Sequence, residues 1–127
     1  MSGYFTESNY ENAVLQLLND ELGYTYVYGP EVERDYHSPL YEDVLLPSLQ
    51  RINKSLPMDA LTEAIYKLKN FETGTLLQKN MVFMDYLQNG VPVKYYDKGE
   101  ERSTLVYLVD FKNPASNEFT VANQWTF

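Results

Sequence analysis

Asp110 is the first residue whose type and position could support chemistry. It follows an apolar run over residues 105–109, and a carboxylate at the end of a buried strand can hold Mg²⁺. The same residue opens the sequence Asp-Phe-Lys-Asn-Pro, whose Asp, Asn and Pro are typical of turns. The turn is therefore the favoured interpretation of Asp110, and a metal ligand is the alternative.

Glu11 is the second candidate, and two roles compete for its side chain. It lies near the start of an amphipathic segment over residues 5–22. Ser8 and Glu11 have the spacing of a capping box, in which the acid accepts a backbone N–H at the helix start; Thr6 is another possible cap. An acid one turn into a helix can instead lean over a sheet and help bind a divalent metal. The cap is favoured because capping boxes are common.

His37 is the only histidine, and it lies beside Ser38 in a polar loop. A Ser-His-Asp triad would have to use it, but nothing in the sequence orders it towards a nucleophile. With one histidine and no cysteine, no histidine- or thiolate-based metal site is predicted. The nearby acids Glu31, Glu33 and Asp35 are predicted to form a solvated loop face.

The overall composition is that of a globular protein with an acidic surface. The chain has 127 residues, of which 44% are hydrophobic, and a net charge of −8. This charge argues against binding nucleic acid by bulk electrostatics, since DNA binding normally needs clustered Lys and Arg. The absence of Cys fits a reducing compartment, and no signal sequence, membrane-spanning run or Gly-rich phosphate loop is found. A soluble, cytoplasmic protein without its own ATP site is predicted.

The elements that must position these residues follow from hydrophobic periodicity and from Gly and Pro. Helices are predicted over residues 5–22, 38–54 and 55–68, and a fourth helix, capped by Thr73 or Thr75, is predicted to end at Asn89-Gly90. Strands are predicted over residues 24–28, closed by Gly29-Pro30, and over residues 91–96 and 104–111, which a turn at residues 97–100 joins as a hairpin; a further β-rich run begins at residue 117. The third helix is predicted to have an apolar face formed by Ala60, Leu61, Ala64, Ile65 and Leu68. Pro47 is expected to kink or restart the second helix. Because both faces are apolar at residues 105–109, that strand is predicted to be covered on both sides. The first helix is predicted to carry one apolar stripe, formed by Tyr10, Ala13, Val14, Leu17, Leu18 and Leu22.

The order of these motifs resembles the N-terminal end of the restriction subunit (R, motor/nuclease) of type I restriction–modification enzymes. The similarity covers nearly the whole chain. The matching segments are Phe5-Thr6-Glu7 with Glu11, Leu22-Gly23-Tyr24, Gly29-Pro30-Glu31, residues 43–49, Arg51-Ile52-Asn53, Leu56-Pro57, Asn80, residues 89–93, residues 108–114 and residues 117–124.

The resemblance implies an α/β fold, namely the N-terminal portion of a restriction-endonuclease-like domain. This portion is expected to have a mixed sheet of about four strands with three or four helices. Residues 1–127 are expected to be a single domain, incomplete at its C-terminus because it stops before the catalytic hairpin. The family's catalytic Asp and Glu-x-Lys follow the Asn123-Gln124 segment and are expected beyond Phe127. Glu11 matches the acidic position in the first helix and is the one catalytic-type residue carried over.

The resemblance also implies a function for the full subunit. It would make ATP-dependent double-strand cuts in unmethylated foreign DNA, with Mg²⁺ in the nuclease domain and ATP in a downstream motor. Its partners would be DNA and the methylation and specificity subunits, and this segment alone is expected to be inactive. The alternative is a non-enzymatic, acidic protein-interaction module. The twelve Tyr residues favour that alternative because Tyr is enriched at interfaces.

Overall fold

The computed structural model describes residues 6–72 and 74–125. Within that part of the chain the protein is α/β, with four α-helices and four strands. It divides into two compact units. The terminal unit combines residues 1–39 with residues 119–127, and the central unit comprises Leu40–Glu118. The assignment of residues 1–127 to one endonuclease domain stays a prediction.

The terminal unit begins with α1, Glu7–Gln16, which continues as a π-helical turn, Leu17–Glu21. The predicted helix is thus confirmed; Phe5 lies outside the described residues. Thr6 is the N-cap, and its side chain accepts a hydrogen bond from the Asn9 backbone N–H at 3.2 Å. The capping box between Ser8 and Glu11 was a wrong prediction, because the helix starts earlier and Glu11 is then too far along it to satisfy a donor at its start.

Two short strands complete the terminal unit. β1, Thr25–Tyr28, and β4, Thr120–Asn123, pair in parallel from Thr25↔Thr120 to Tyr28↔Asn123. The Thr25 backbone N–H donates to the Phe119 carbonyl at 2.8 Å and extends the pairing by one bond. Both strands agree with the predicted runs. Their carboxyl ends therefore meet at one edge of the pair.

Most of the apolar stripe predicted for the first helix is exposed. Tyr10 is 64% exposed, and Val14, Leu17 and Leu22 are also exposed. The half-buried positions are Glu11, Leu15 and Leu18, which share a narrower face of the helix. Two strands about 4.8 Å apart offer less surface than a helix about 10 Å across can cover, so part of the apolar stripe stays uncovered within the described residues.

The central unit contains three helices and a hairpin. They are α2, Glu42–Ile52; α3, Met58–Lys69; α4, Leu76–Asn89; β2, Val91–Asp97; and β3, Glu100–Val106. The hairpin is antiparallel, and the prediction that residues 97–100 turn is confirmed. The core is formed by the buried side chains of Leu49, Ala60, Leu61, Ala64, Leu68, Val91, Val93 and Val106. The predicted apolar face of α3 accounts for most of the helical part of this core.

Pro47 does not interrupt α2. The helix runs from Glu42 to Ile52 with Pro47 inside it, so the predicted restart is wrong, and the helix begins after Pro39 rather than at it. A proline in a helix removes the hydrogen bond to the carbonyl four residues earlier, here that of Asp43. Both residues are exposed, and water can therefore satisfy the free carbonyl.

The start of α4 is defined by a capping box. The Thr75 side chain accepts from the Gln78 backbone N–H at 3.2 Å, and the Gln78 side chain accepts from the Thr75 N–H at 2.8 Å. Thr75 was one of the two predicted caps; the other, Thr73, lies outside the described residues. Gly90, with φ +95°, ends the helix as predicted. Because reciprocal capping depends only on residue types three positions apart, the start of such a helix can be predicted from the sequence.

The predicted strand over residues 104–111 ends early. β3 stops at Val106, and Leu105 and Tyr107 are 42% and 49% exposed, so this stretch is not covered on both sides. The reason lies in the partner strand. Val106 pairs with Val91, the first residue of β2, and beyond it the ladder has no partner. The Asn53 side chain instead pairs with the Tyr107 backbone.

The four strands form two separate pairs rather than one mixed sheet. One pair is parallel and lies in the terminal unit, and the other is antiparallel and lies in the central unit. The restriction-endonuclease-like arrangement stays a prediction. Among the described residues no helix has the length and apolar character that a membrane span would need.

Candidate functional site

Asp110 shapes a loop, as the favoured interpretation predicted. Its Oδ1 accepts hydrogen bonds from the backbone N–H groups of Lys112 at 3.0 Å and Asn113 at 2.9 Å. Asn117 holds the same loop from the other side. Its Oδ1 accepts from the Asp110 N–H at 2.8 Å, and its Nδ2 donates to the carbonyls of Asp110 and Pro114. These contacts fix the chain between β3 and β4.

Substitutions at Asp110 show whether its side chain is needed as a hydrogen-bond acceptor in the turn or for its negative charge. Asp110→Asn keeps a side-chain oxygen for the two N–H groups, so we expect a loss below about 1 kcal/mol in unfolding free energy. Asp110→Ala leaves both donors without that oxygen and should cost about 1–2 kcal/mol. Urea unfolding followed by circular dichroism measures both values. Equal losses for the two variants would contradict the turn role, since only a required negative charge makes Asn as harmful as Ala.

Glu11 meets Gln124 at the carboxyl edge of the β1–β4 pair. The Gln124 Nε2 lies 3.2 Å from Glu11 Oε1 and 3.3 Å from Oε2, so one amide donates towards both carboxylate oxygens. Gln124 directly follows β4 and has φ +53°, a left-handed conformation that is uncommon for residues other than Gly. Such outliers cluster at functional sites, and ligands of open α/β sheets bind outside the carboxyl ends of strands.

Gly29 makes this arrangement possible. It follows β1, and a Cβ atom there would lie 2.5 Å from the Gln124 carbonyl oxygen and 2.6 Å from that of Asn123. Only glycine allows the two backbones to approach so closely. The Tyr26 hydroxyl also donates to Asn123 Oδ1 at 2.9 Å. These contacts fix the backbone at Gln124, whose side chain then reaches Glu11.

Arg34 and Trp125 hold the chain that leaves β4. The Arg34 guanidinium lies 3.8 Å from the centre of the Trp125 ring and 4.7 Å from that of Tyr36, which is cation–π geometry. Arg34 Nη1 also donates to the Ser38 carbonyl at 3.1 Å, and Trp125 Nε1 donates to the Pro39 carbonyl at 3.0 Å. The loop after β1 is thus attached to the residues after Gln124.

Comparison with known proteins identifies the family. Residues 4–127 match the family model described as Type I restriction enzyme R protein N terminus. The chain belongs to this family. The resemblance inferred from the order of its motifs is therefore confirmed.

Two named relatives support this assignment. The chain is 31% identical, over 91% of its length, to a protein of Methanocaldococcus jannaschii that carries the provisional name type I restriction enzyme MjaIXP endonuclease subunit. It is 29% identical, over 93% of its length, to the Type I restriction enzyme HindI endonuclease subunit of Haemophilus influenzae. The chain spans 12% of the length of each relative. No solved structure is significantly similar to it.

Among the described residues of this R protein N-terminal region, the side chains around Glu11 do not gather a set of carboxylate ligands for Mg²⁺. Thr6, Glu7, Tyr10, Glu11 and Gln124 line an open cleft of about 480 Å³. Mg²⁺ requires oxygen ligands, yet the two Glu11 oxygens face an amide donor. No group of three or more His, Cys, Asp or Glu side chains is gathered anywhere in residues 6–72 and 74–125.

His37 does not join the Glu11–Gln124 contact in this R protein region. Its side chain is exposed, and its backbone N–H donates to Asp35 Oδ1 at 2.9 Å. Glu31, Glu33 and Asp35 are exposed as well, which confirms the predicted solvated loop face. The structure thus brings together Glu11 and Gln124, and it gives His37 the surface position that the sequence favoured.

Proposed function

We propose that this chain is the N-terminal scaffold of a restriction-endonuclease-like nuclease domain in a type I restriction endonuclease subunit. The whole subunit would make ATP-dependent double-strand cuts in unmethylated DNA, together with methylation and specificity subunits. The observation that carries the proposal is the family match over residues 4–127. The two relatives are named as endonuclease subunits, and that activity is here extended to this protein.

The geometry supports a place for Glu11 beside the catalytic centre. Its carboxylate lies at the carboxyl edge of the β1–β4 pair and is oriented by Gln124. In such a nuclease Mg²⁺ activates water and stabilises charge on the phosphate. The main metal ligands would be carboxylates outside the residues described here. Glu11 would act as an additional acid at the edge of that centre, and the segment alone would neither bind Mg²⁺ tightly nor cut DNA.

The test compares three samples in one cleavage assay. The full-length subunit, assembled with methylation and specificity subunits, should cut unmethylated plasmid in the presence of ATP and Mg²⁺. Its Glu11→Gln variant should cut roughly 10–100-fold more slowly, the loss typical when a group that supports a metal site is removed. The purified 127-residue chain should not cut. Glu21→Gln is the matched control, because Glu21 is an exposed acid at the end of the π-helical turn that follows α1 and does not line the cleft that contains Glu11.

The ATPase rate of each assembled sample shows whether a variant is still correctly assembled. Normal ATPase with slow cutting places the Glu11 defect in the nuclease centre. Unchanged cutting by Glu11→Gln would remove Glu11 from that centre. Cutting by the isolated chain would overturn the scaffold role, because it would require a complete catalytic set within these residues.

A second candidate function is protein interaction, and the surface of α1 favours it. Tyr10, Val14 and Leu17 lie exposed along α1 and the turn that follows, and every charged residue from Glu7 to Glu21 is acidic. An exposed apolar stripe of this kind can mark a docking surface. Pull-down and size-exclusion experiments with the 127-residue chain test it. This function requires a specific partner that the Val14→Glu variant no longer binds.

A further inference from the structure

Two adjoining clefts open on the central unit where β3 ends. The larger, of about 530 Å³, is lined by Arg51 and Lys54 among others. The smaller, of about 260 Å³, is lined by Phe111 and Lys112 among others. Tyr107, together with Ile52 and Asp110, lines both clefts. The two clefts therefore adjoin each other at these three residues.

The residues that line the two clefts carry a net positive charge, whereas the whole chain is acidic. Arg51, Lys54 and Lys112 face one carboxylate, Asp110, which leaves a net charge of +2 in a chain of net charge −8. Asp110 already accepts two backbone N–H groups. By contrast, the charged residues lining the described clefts of the terminal unit are all acidic. Clefts of one sign focus the electrostatic field and concentrate ligands of the opposite sign, so this surface favours an anion.

The cations of the clefts are available to a ligand. Neither Lys54 nor Lys112 forms a salt bridge with any residue of the described ranges, whereas Lys69, Lys94 and Arg102 elsewhere on the central unit do. Arg51 is fixed at the cleft instead. Its Nε donates to the Ser116 carbonyl at 2.6 Å and its Nη2 to Ser48 Oγ at 3.2 Å.

Two aromatic rings lie exposed on the same surface. Tyr107 is 49% exposed and Phe111 is 68% exposed. The Tyr107 backbone is fixed by the Asn53 side chain, which donates to its carbonyl and accepts from its N–H, both at 2.9 Å. The Phe111 backbone lies inside the loop that Asp110 and Asn117 stabilise. The backbones that carry both rings are thus held in place while the rings remain in solvent.

We propose that the two clefts bind a short stretch of single-stranded DNA. Exposed rings interleaved with cations match its chemistry, because bases stack on aromatic side chains while Lys and Arg bind the phosphates. A duplex keeps its bases stacked on each other and could use the cations alone. An acidic peptide would likewise leave the rings without a role. The site goes beyond the proposed function, since it requires no cleavage by this chain.

Fluorescence anisotropy with labelled oligonucleotides and the 127-residue chain tests the site. The dT12 strand should bind more tightly than a 12-bp duplex, with a log–log salt slope of about −2 for three phosphate contacts. Phe111→Ala should weaken binding of dT12 by about 5–150-fold, the range found for loss of one stacked base. A Lys54→Gln/Lys112→Gln double variant should lower the salt slope by about 1.4. Lys98→Gln and Tyr96→Ala are matched controls, since both residues are exposed on the hairpin outside the clefts, and they should bind as the unchanged chain does.

Each outcome decides for or against this site. Unchanged dT12 binding by Phe111→Ala, or an unchanged salt slope for the double Lys variant, would overturn it. Displacement of dT12 by a poly-Glu peptide at lower concentration than by unlabelled dT12 would indicate a protein-docking site, and tighter binding of rU12 would indicate RNA. All substituted side chains are exposed, so circular dichroism should show unchanged folding. Loss of this site would leave the cleavage test untouched, because that test depends on Glu11.

Discussion

The Asn53→Ala variant is expected to lose about 2–3 kcal/mol of unfolding free energy. Asn53 is buried, and its side chain donates to the carbonyls of Leu49 and Tyr107 and accepts from the Tyr107 N–H, all at 2.9 Å. Alanine would leave the N–H and the carbonyl of Tyr107 without this partner in a partly buried place, while the Leu49 carbonyl would keep only the backbone N–H of residue 53. The loss of each typically costs about 1 kcal/mol or more.

Urea unfolding followed by circular dichroism measures this loss. Asn53→Asp sharpens the test, because a carboxylate can still accept from Tyr107 but cannot donate to either carbonyl. It should therefore also be strongly destabilised. Asn80→Ala, an exposed position in α4, is the matched control and should be neutral or slightly stabilising. A midpoint for Asn53→Ala close to that of the control would mean that this side chain does not hold the end of β3.

The second large effect is expected at Gly29. In Gly29→Ala the new methyl group would lie 2.5 Å from the Gln124 carbonyl oxygen and 2.6 Å from that of Asn123. Both are backbone atoms, so β1 and β4 must move apart to accept it. We expect a loss of about 2–3 kcal/mol, the typical cost of forcing extra atoms into a packed site. The damage should centre on the terminal unit.

Trp125 is the only tryptophan, and its fluorescence reports on the chain just after β4. In Gly29→Ala its emission should shift, and its urea transition should move to lower concentration. Gly99→Ala separates crowding from backbone strain, because Gly99 has φ +80° but open space around it. This control should cost about 1–2 kcal/mol and leave Trp125 emission unchanged. An unchanged Trp125 spectrum in Gly29→Ala would contradict the close approach of the two backbones.

Local signals in the sequence predicted most elements of the fold. Thr75 and Gln78 define the start of α4 through reciprocal capping. Lys98 and Gly99 both have positive φ, as the tight turn between β2 and β3 requires. Asp110 stabilises a turn by accepting backbone N–H groups of Lys112 and Asn113, as the sequence Asp-Phe-Lys-Asn-Pro predicted. In each case the determining contacts lie within a few residues, and such contacts can be read from residue type and spacing.

Long-range contacts decided the features that sequence reasoning missed. β3 stops at Val106 because β2 has no further residue to pair with it. The apolar run at residues 105–109 does not indicate this strand register. Glu11 meets Gln124 across 113 positions of sequence. Gly29 precedes a proline and looked like an ordinary strand terminator, whereas its contact is with the far end of the chain. The buried face of α1 likewise depends on which elements pack against the helix, and hydrophobic periodicity does not identify those elements.

The parallel pairing of β1 with β4 sets an order of events during synthesis. Each residue of β1 leaves the ribosome 95 residues before its partner in β4, which at about 5–20 residues per second is a delay of about 5–20 s. Leu40–Glu118 emerges within that interval and contains the core of the central unit. The central unit of the nascent chain can therefore fold first, before β4 has been synthesised and can pair with β1. The Glu11–Gln124 contact is then among the last to form.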